Sequence, residues 1–149
     1  MKNKVSSTRG VGIILIHNKK FLLQLRDNNP NIANPNMWGL IGGGIEAGET
    51  PLRAIKRECA EEIGIIPKKI QYAGCSDENG SRFYAYLSDE EEASLVSGEG
   101  QAIKLFSCDE VAGLHLTPRV HKFFYEYSGA VKKFINGENI EAEDMGLKA

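Results

Sequence analysis

The residues best suited to chemistry are three glutamates in the middle of the chain, Glu58, Glu61 and Glu62. Spacings of three and four residues put all three on one face of an α-helix. Carboxylates gathered there repel one another, which costs stability unless a cation occupies the face. Because all the ligands are oxygens, hard ions such as Mg²⁺ or Mn²⁺ suit them better than Zn²⁺. The spacing therefore indicates a divalent metal, on which Mg²⁺ leaves positions for phosphate oxygens and a water.

An ordinary solvated helix face is the alternative interpretation, because Lys56 and Arg57 are near enough to form ion pairs with the glutamates. The segment before the helix favours the metal. Its three glycines, at positions 42 to 44, permit backbone conformations and close approaches that other residues do not. A strand, a glycine loop and an acidic helix in this order suit a metal-bound phosphate.

The segment from Gly43 to Ile65 resembles the Nudix box. That pattern is a glycine, five residues, a glutamate, seven residues, Arg-Glu, an apolar residue, any residue, Glu-Glu, any residue, a glycine and an apolar residue. Its fixed positions are filled here by Gly43, Glu49, Arg57, Glu58, Glu61, Glu62 and Gly64. Cys59 stands at the first apolar position, where it serves as a small hydrophobe. Residue frequencies give such a match by chance a probability on the order of 10⁻⁷, so the resemblance outweighs the solvated-face interpretation.

The resemblance implies which groups would bind the metal. Glu58 and Glu62 are expected as the principal ligands, and Glu61 as a further ligand or as the base that deprotonates water. The backbone carbonyl of Gly42 is expected as another ligand.

Further roles around the metal are implied by the same resemblance. Arg57 and Glu49 are expected to form an ion pair that fixes the loop against the helix. Outside the box, Glu99-Gly100-Gln101 is similar to the Glu-Gly-Gln of MutT-like members, in which the glutamate approaches the metals and can act as general base. Glu99 is therefore a second candidate base, with a solvated loop residue as the alternative.

Substrate contacts are expected from Arg26, Trp38, Leu40 and Gly43. Arg26 ends the second predicted strand, where similar proteins hold substrate phosphate, and its guanidinium suits that task. An ordinary surface arginine is the alternative. Trp38 and Leu40 flank the glycines and could wall a base or sugar, although a place in the core is the favoured interpretation of Trp38.

The elements that position these residues alternate between strands and helices. A helix is predicted from Leu52 to Ile63, with Thr50 as N-cap and Gly64 as its stop. Its apolar residues Leu52, Ile55, Cys59 and Ile63 have helical spacing and are expected to form one buried stripe. Strands are predicted at 9–17, 21–26, 70–75, 82–87 and 103–106, a loop at 27–36, an acidic turn-rich segment at 88–100, and a second helix from 117 through 127. Residues 128–149 are expected to be a flexible C-terminal tail. The resemblance implies an α/β fold, the Nudix α/β/α sandwich with a mixed sheet flanked by helices, and the element count agrees.

Composition limits the remaining function classes. The 149 residues fit a single domain spanning 1–149, and the net charge of -2 with scattered basic residues favours neither a nucleic acid polymer nor a membrane as partner. Three widely spaced cysteines match neither a disulfide framework nor a zinc pattern. The apolar run 11–16 is too short for a signal sequence. A reducing cytoplasm is the expected location, and because dimers are frequent among similar proteins, a homodimer is one expectation for assembly.

The resemblance to the Nudix box implies a Mg²⁺-dependent Nudix hydrolase that cleaves a diphosphate linkage in a nucleoside diphosphate derivative. Hydrolysis of a (d)NTP to a monophosphate and pyrophosphate is the first expectation, because Ser81 and Arg82 stand where ADP-ribose hydrolases carry a proline. Leu116 and Ile41 argue against an oxidised-guanine specialist. An ADP-ribose or nucleotide-sugar pyrophosphatase is the alternative in the same chemistry, and a non-catalytic nucleotide-sensing module is the alternative from another class.

Overall fold

A mixed β-sheet lies at the centre of the molecule, for which a computed structural model describes residues 9–76 and 80–149. Within these residues the sheet has seven strands: β1 (Gly10–His17), β2 (Lys20–Leu25), β3 (Trp38–Gly39), β4 (Ile41–Gly44), β5 (Gln71–Ser76), β6 (Gly80–Tyr86) and β7 (Ala102–Phe106). Their order is β3-β2-β1-β6-β5, with β4 paired to β1 and β7 paired to β2. The β1–β6 pair is parallel and the other pairs are antiparallel.

Helices cover both faces of this sheet. They are α1 (Pro51–Ile63), α2 (Asp89–Ala93), α3 (Cys108–Val111), α4 (Pro118–Glu126) and α5 (Ser128–Asn136), followed by a 3₁₀ turn (Ala142–Met145). Alternate residues of β1 point to opposite faces. Ile13 and Leu15 pack in one core cluster with α1, whereas Ile14 and Ile16 pack in another with α4 and α5. The predicted α/β/α sandwich is therefore confirmed. None of the described helices is long and apolar enough to cross a membrane.

Helix α1 begins and ends where its sequence signals place it. The side chain of Thr50 accepts a hydrogen bond from the backbone N–H of Arg53 at 3.2 Å, and Gly64 ends the helix in the left-handed conformation with φ 76°. Ile55 is fully buried, as are Cys59 and Ile63 of the same stripe. Leu52, expected on this stripe, lies in the first turn and is 43% exposed. The buried face thus starts one turn later than the periodicity predicts.

The glycines before α1 form a strand rather than the predicted loop. They pair with β1 in antiparallel register, so that Gly42 lies opposite Gly12. A Cβ at Gly42 would overlap the carbonyl oxygen of Val11. The predicted close approach is present, but the approaching group is the neighbouring strand. The turn comes only after β4, where the N–H of Glu49 donates to the carbonyl of Glu46 at 3.0 Å.

The C-terminal segment, expected as a flexible tail, folds into helix α5 and a 3₁₀ turn that pack against the core. Phe134 of α5 is 1% exposed and packs against the ring of Phe21. Beyond the 3₁₀ turn, Lys148 and Cys75 exchange two backbone hydrogen bonds of 2.8 Å. The apolar residues of α5 have helical spacing, but over only nine residues, which is too short a pattern to stand out in the sequence.

Candidate active site

Glu58 and Glu62 form a buried pair of carboxylates between α1 and β4. They are 7% and 5% exposed, and they lie close enough for Glu58 to raise the pKa of Glu62. The backbone N–H of Gly42 donates to Glu62 Oε1 at 3.2 Å. A Cβ at Gly43 would overlap the Glu58 carboxylate, so only glycine leaves room for it. The three glutamates therefore do not share one solvated face, because Glu61 alone is largely open to solvent, with its side chain 44% exposed.

The electrostatics of this pair suit a hard cation. Burial raises the pKa of Glu62 above its ordinary range, and the neighbouring Glu58 raises it further, since two adjacent buried carboxylates resist ionising together. A divalent cation would relieve that repulsion, and hard divalent cations prefer oxygen ligands such as these carboxylates. Among the described residues no group of three or more His, Cys, Asp or Glu side chains stands ready to hold a metal. The groups available as metal ligands are thus the two buried carboxylates and the adjacent backbone. The Glu61 side chain would have to turn inward to join them.

Arg57 ties these elements together. Its Nε donates to Glu49 Oε2 at 2.7 Å and its Nη2 to Glu49 Oε1 at 3.0 Å, which makes a bidentate pair. Nη2 also donates to the Gly44 carbonyl at 2.9 Å, while Nη1 donates to Glu58 Oε2 at 3.1 Å and Glu61 Oε1 at 3.3 Å. The hydrogen bond with Arg57 lowers the pKa of Glu49, and the same bond raises the pKa of Arg57. The pair expected from the resemblance is therefore present and links the turn, β4 and α1.

The loop that carries Glu99 is attached to the end of α1. The N–H of Gly98 donates to the Glu62 carbonyl at 3.0 Å, and a Cβ at Gly98 would overlap the carbonyl of Glu61. On its other side, Gln24 Nε2 donates to the backbone carbonyl of Glu99 at 3.1 Å. The Glu99 carboxylate is exposed and is close enough for its charge to raise the pKa of Glu62. The chain thus brings Glu99 to the buried pair from outside the box.

A cavity of about 520 Å³ lies beside β4 and is bordered by its glycines. Four arginines line it, Arg9, Arg26, Arg82 and Arg119, and none of its described lining residues is acidic. Such a lining suits an anionic ligand.

Three of the four predicted substrate residues line this cavity, and the fourth does not. Arg26, Leu40 and Gly43 line it, and Arg26 is held there by a 2.9 Å hydrogen bond from its Nε to the Ala33 carbonyl. Trp38 is not among the lining residues. Its ring meets Phe106 edge-on at a centroid distance of 4.8 Å within an apolar cluster, as the core interpretation expects.

Arg82 and Arg119 line the cavity as well, although the sequence does not predict either of them as a site residue. Arg82 is 7% exposed, and burial together with the nearby Arg119 lowers its pKa to about 10, so it stays protonated at neutral pH. Burial also lowers the pKa of Arg119, which stands in the first turn of α4. The parallel register of β1 and β6, which pairs Gly12 with Arg82, is what brings this side chain to the cavity. No local motif encodes that pairing.

The fold and the site together define a class of protein: an α/β/α sandwich in which one helix presents buried carboxylates beside a cavity lined by arginines. The sequence model of the NUDIX domain matches residues 6–127. The chain belongs to the NUDIX family, which confirms the resemblance seen in the box.

Individual relatives agree with this assignment. The RNA pyrophosphohydrolase of Cellvibrio japonicus (strain Ueda107) is 35% identical over 66 residues, which cover 44% of this chain and 36% of that protein. The match thus spans little more than a third of that relative's length. Among solved structures, the Nudix hydrolase RenU from M. smegmatis superposes with a TM-score of 0.66 at 19% identity, covering 85% of this chain and 87% of that one. The NUDIX domain of Shewanella oneidensis NrtR, complexed with ADP ribose, has a TM-score of 0.59 at 20% identity and coverages of 88% and 94%. At these identities the two structures show a shared fold.

Proposed function

We propose that this protein is a divalent-metal-dependent hydrolase that cleaves a diphosphate linkage in a nucleoside diphosphate derivative. Its first candidate substrate is a (d)NTP, released as monophosphate and pyrophosphate. The observation that carries the proposal is the buried Glu58–Glu62 pair, which lies against the same β4 glycines that border the arginine-lined cavity. A metal held by the pair would meet a phosphate chain held by the arginines.

Mg²⁺, or Mn²⁺ in its place, would be held by Glu58 and Glu62, with Glu61 and the Gly42 carbonyl as further ligands. When bound it would neutralise diphosphate charge and lower the pKa of a water. Burial of the two carboxylates supports this assignment, because an unpaired buried carboxylate is costly and a cation compensates it.

The other acidic and basic residues have roles that follow from their positions. Glu61 or Glu99 accepts the proton of the attacking water, since both carboxylates are exposed beside the buried pair. Arg57 and Glu49 act as positioning residues, because their bidentate pair fixes the turn against α1. Neither of these two needs to touch the substrate.

The substrate side of the proposal rests on the cavity. Arg26 would bind phosphate oxygens by charge-assisted hydrogen bonds, and Leu40 and Gly43 would border the rest of the substrate. A small nucleotide-like molecule fits a cavity of about 520 Å³. A reducing compartment such as the cytoplasm belongs to the same proposal, supported by the free thiols of Cys59, Cys75 and Cys108.

Two other substrates are favoured by specific comparisons. Curated relatives named RNA pyrophosphohydrolase favour the 5′-triphosphate end of an RNA, although the net charge of -2 gives a polymer no broad basic surface. The NrtR domain complexed with ADP ribose favours ADP-ribose. A nucleotide-sensing module without turnover is the alternative outside catalysis.

One panel of assays tests these proposals together. The purified protein would be incubated with Mg²⁺ and dNTPs, oxidised dGTP, ADP-ribose, nucleotide sugars, dinucleoside polyphosphates and a 5′-triphosphorylated RNA, with and without chelator. We expect one substrate class to be cleaved with a high kcat/KM, and chelator to abolish the reaction. Tight binding of a nucleotide without any turnover would contradict the hydrolase proposal and favour the nucleotide-sensing module.

A further inference from the structure

Gln24 is a buried polar residue on the face of the sheet that carries α1. Leu22, two residues earlier in β2, packs in the core cluster of that face, and alternate side chains of a strand point the same way. Gln24 is 6% exposed, and its Nε2 donates to the backbone carbonyl of Glu99 at 3.1 Å. This buried amide therefore binds the peptide of a candidate base on the side of the sheet where the carboxylate pair lies.

Gln101 holds the other end of the same segment. Its backbone N–H donates to the Leu25 carbonyl at 2.8 Å, next to the point where β7 pairs with β2. Its side-chain Nε2 donates to the Arg26 carbonyl at 2.8 Å and to Asn36 Oδ1 at 2.9 Å. Because Arg26 lines the arginine-lined cavity, one side-chain amide links the Glu99 segment to the edge of that cavity.

Two glycines let this segment lie tightly between β2 and α1. Gly100 is in the left-handed conformation with φ 75°, and a Cβ there would lie 2.8 Å from the Leu25 carbonyl oxygen. On the helix side, the N–H of Gly98 donates to the Glu62 carbonyl at 3.0 Å. Glu99 stands between these two contacts, so its backbone is held from a strand on one side and a helix on the other.

The Glu99 side chain differs from its backbone. The carboxylate is exposed, and among the described residues no hydrogen bond or ion pair holds it. Its direction is therefore set by the peptide that carries it. Besides Gln24, the Glu99 carbonyl receives only a longer contact of 3.5 Å from Ser97 Oγ.

A general base works only when its oxygen lies within hydrogen-bond reach of the water that it deprotonates. We propose that Gln24 and Gln101 are positioning residues whose side-chain amides hold Glu99 beside the carboxylate pair, where it acts as the base. The two amides are called the glutamine clamp below. This inference rests on the proposed function, in which Glu99 is one of two candidate bases.

A double-mutant cycle tests the clamp by kinetics. Gln24→Met and Gln101→Met keep the side-chain size and remove the amide, and each would be made in the wild type and in Glu99→Gln. With the panel substrate of highest kcat/KM, we expect each single variant to lower kcat about 5- to 10-fold, the loss expected for a hydrogen bond. KM should change by less than about twofold. In the Glu99→Gln background the same changes should lower kcat by less than about twofold, because the group they position is already absent.

The control is Gln71→Met, an exposed glutamine of β5, which should match the wild type. Gln101 is exposed, so its variant should fold even if Gln24→Met does not. An equal loss of kcat in both backgrounds would mean a merely structural role and would overturn the proposal. Unchanged kcat in both glutamine variants would overturn it as well, while leaving the hydrolase intact.

Hydrogen exchange measures the clamp without requiring turnover. NMR would follow the backbone N–H groups of Gly98 and Gln101, which are bonded to α1 and β2. We expect both to exchange at least about fivefold faster in Gln24→Met and Gln101→Met than in the wild type or Gln71→Met. Unchanged exchange in both variants would contradict the clamp. Faster exchange in a protein without any turnover would contradict the proposed function while supporting the clamp.

Discussion

Glu58 and Glu62 differ from Glu61 in their surroundings rather than in their chemistry. The first two are buried against the β4 backbone, and the third is exposed and hydrogen-bonded to Arg57 at 3.3 Å. A buried carboxylate pair suits a bound cation, because the cation compensates both charges. An exposed carboxylate can instead exchange protons with water. We therefore propose that burial separates the two roles, with Glu58 and Glu62 as metal ligands and an exposed carboxylate as the base.

Glu99 is the second exposed carboxylate at this site, and its replacement tests the role of general base. We expect Glu99→Gln to lower kcat by about 10²-fold, the lower end of what a general base contributes. Metal affinity should suffer less than in Glu58→Gln, because the loop is held by backbone bonds that a glutamine keeps. Glu90→Gln, an exposed residue of α2, is the matched control. Unchanged turnover in Glu99→Gln would leave Glu61 as the base.

At the level of single residues, the sequence predicts the contacts of the Nudix box residues well and the residues that line the cavity poorly. The Arg57–Glu49 pair forms as expected because both residues belong to one short pattern of fixed spacing. Arg82 and Arg119 belong to no such pattern. They lie 37 positions apart (119 minus 82) and meet only through the folded sheet and α4.

The contact between β4 and α1 determines how the carboxylates are held. Helix α1 turns Glu58 and Glu62 towards a strand whose glycines have no side chains to obstruct them. The strand in turn gives one backbone N–H to Glu62. The geometry of the site is therefore built from a helix and a strand, which hold ligands more firmly than loops do.

Gly43→Ala tests this contact. The new Cβ would overlap the Glu58 carboxylate, so the side chain must move. A displacement of about 1 Å at a catalytic site can cost on the order of 10²-fold in rate, and we expect a loss of that size in kcat/KM. Gly44→Ala is a closely matched control, since a Cβ there meets nothing within 4 Å. Similar activity in the two variants would contradict the tight β4–α1 contact.

Element boundaries follow from local signals more reliably than element identity does. Thr50 and Gly64 act within one or two turns of α1, so the helix is predicted to within a residue. The glycines of β4 carry no side-chain periodicity, and their strand exists only because β1 offers a partner. A pairing between distant segments is not visible in either segment alone.

The C-terminal segment completes the core cluster on the α4 and α5 side of the sheet. Phe134 packs against rings from β2, β6 and α4, among them Phe21, Tyr84 and Phe123. Lys148 adds backbone hydrogen bonds at the β5 edge. Leu147 lines a second, smaller cavity of about 140 Å³, which Arg82 and Arg119 also line. The segment therefore completes the core and forms part of the wall of this smaller cavity.

Phe134→Ala measures this contribution. Truncation of a buried phenylalanine costs about 3–5 kcal/mol, and for a chain of this size we expect Tm to fall by at least about 6 °C in thermal unfolding. Lys132→Ala, an exposed residue of the same helix, should change Tm by only about 1–2 °C, in keeping with a surface substitution. Equal and small shifts in both variants would mean that α5 does not belong to the cooperative core.

The most direct test of the central claim is metal binding by the Glu58–Glu62 pair. Mn²⁺ would be titrated into the full chain and free Mn²⁺ followed by electron paramagnetic resonance, for the wild type, Glu58→Gln, Glu62→Gln and the exposed control Glu126→Gln. We predict that both buried-site variants lose at least tenfold in Mn²⁺ affinity and that Glu62→Gln lowers turnover by orders of magnitude, with melting temperatures close to that of the wild type. The control should match the wild type. Wild-type Mn²⁺ affinity in both buried-site variants would place the metal elsewhere and contradict the account.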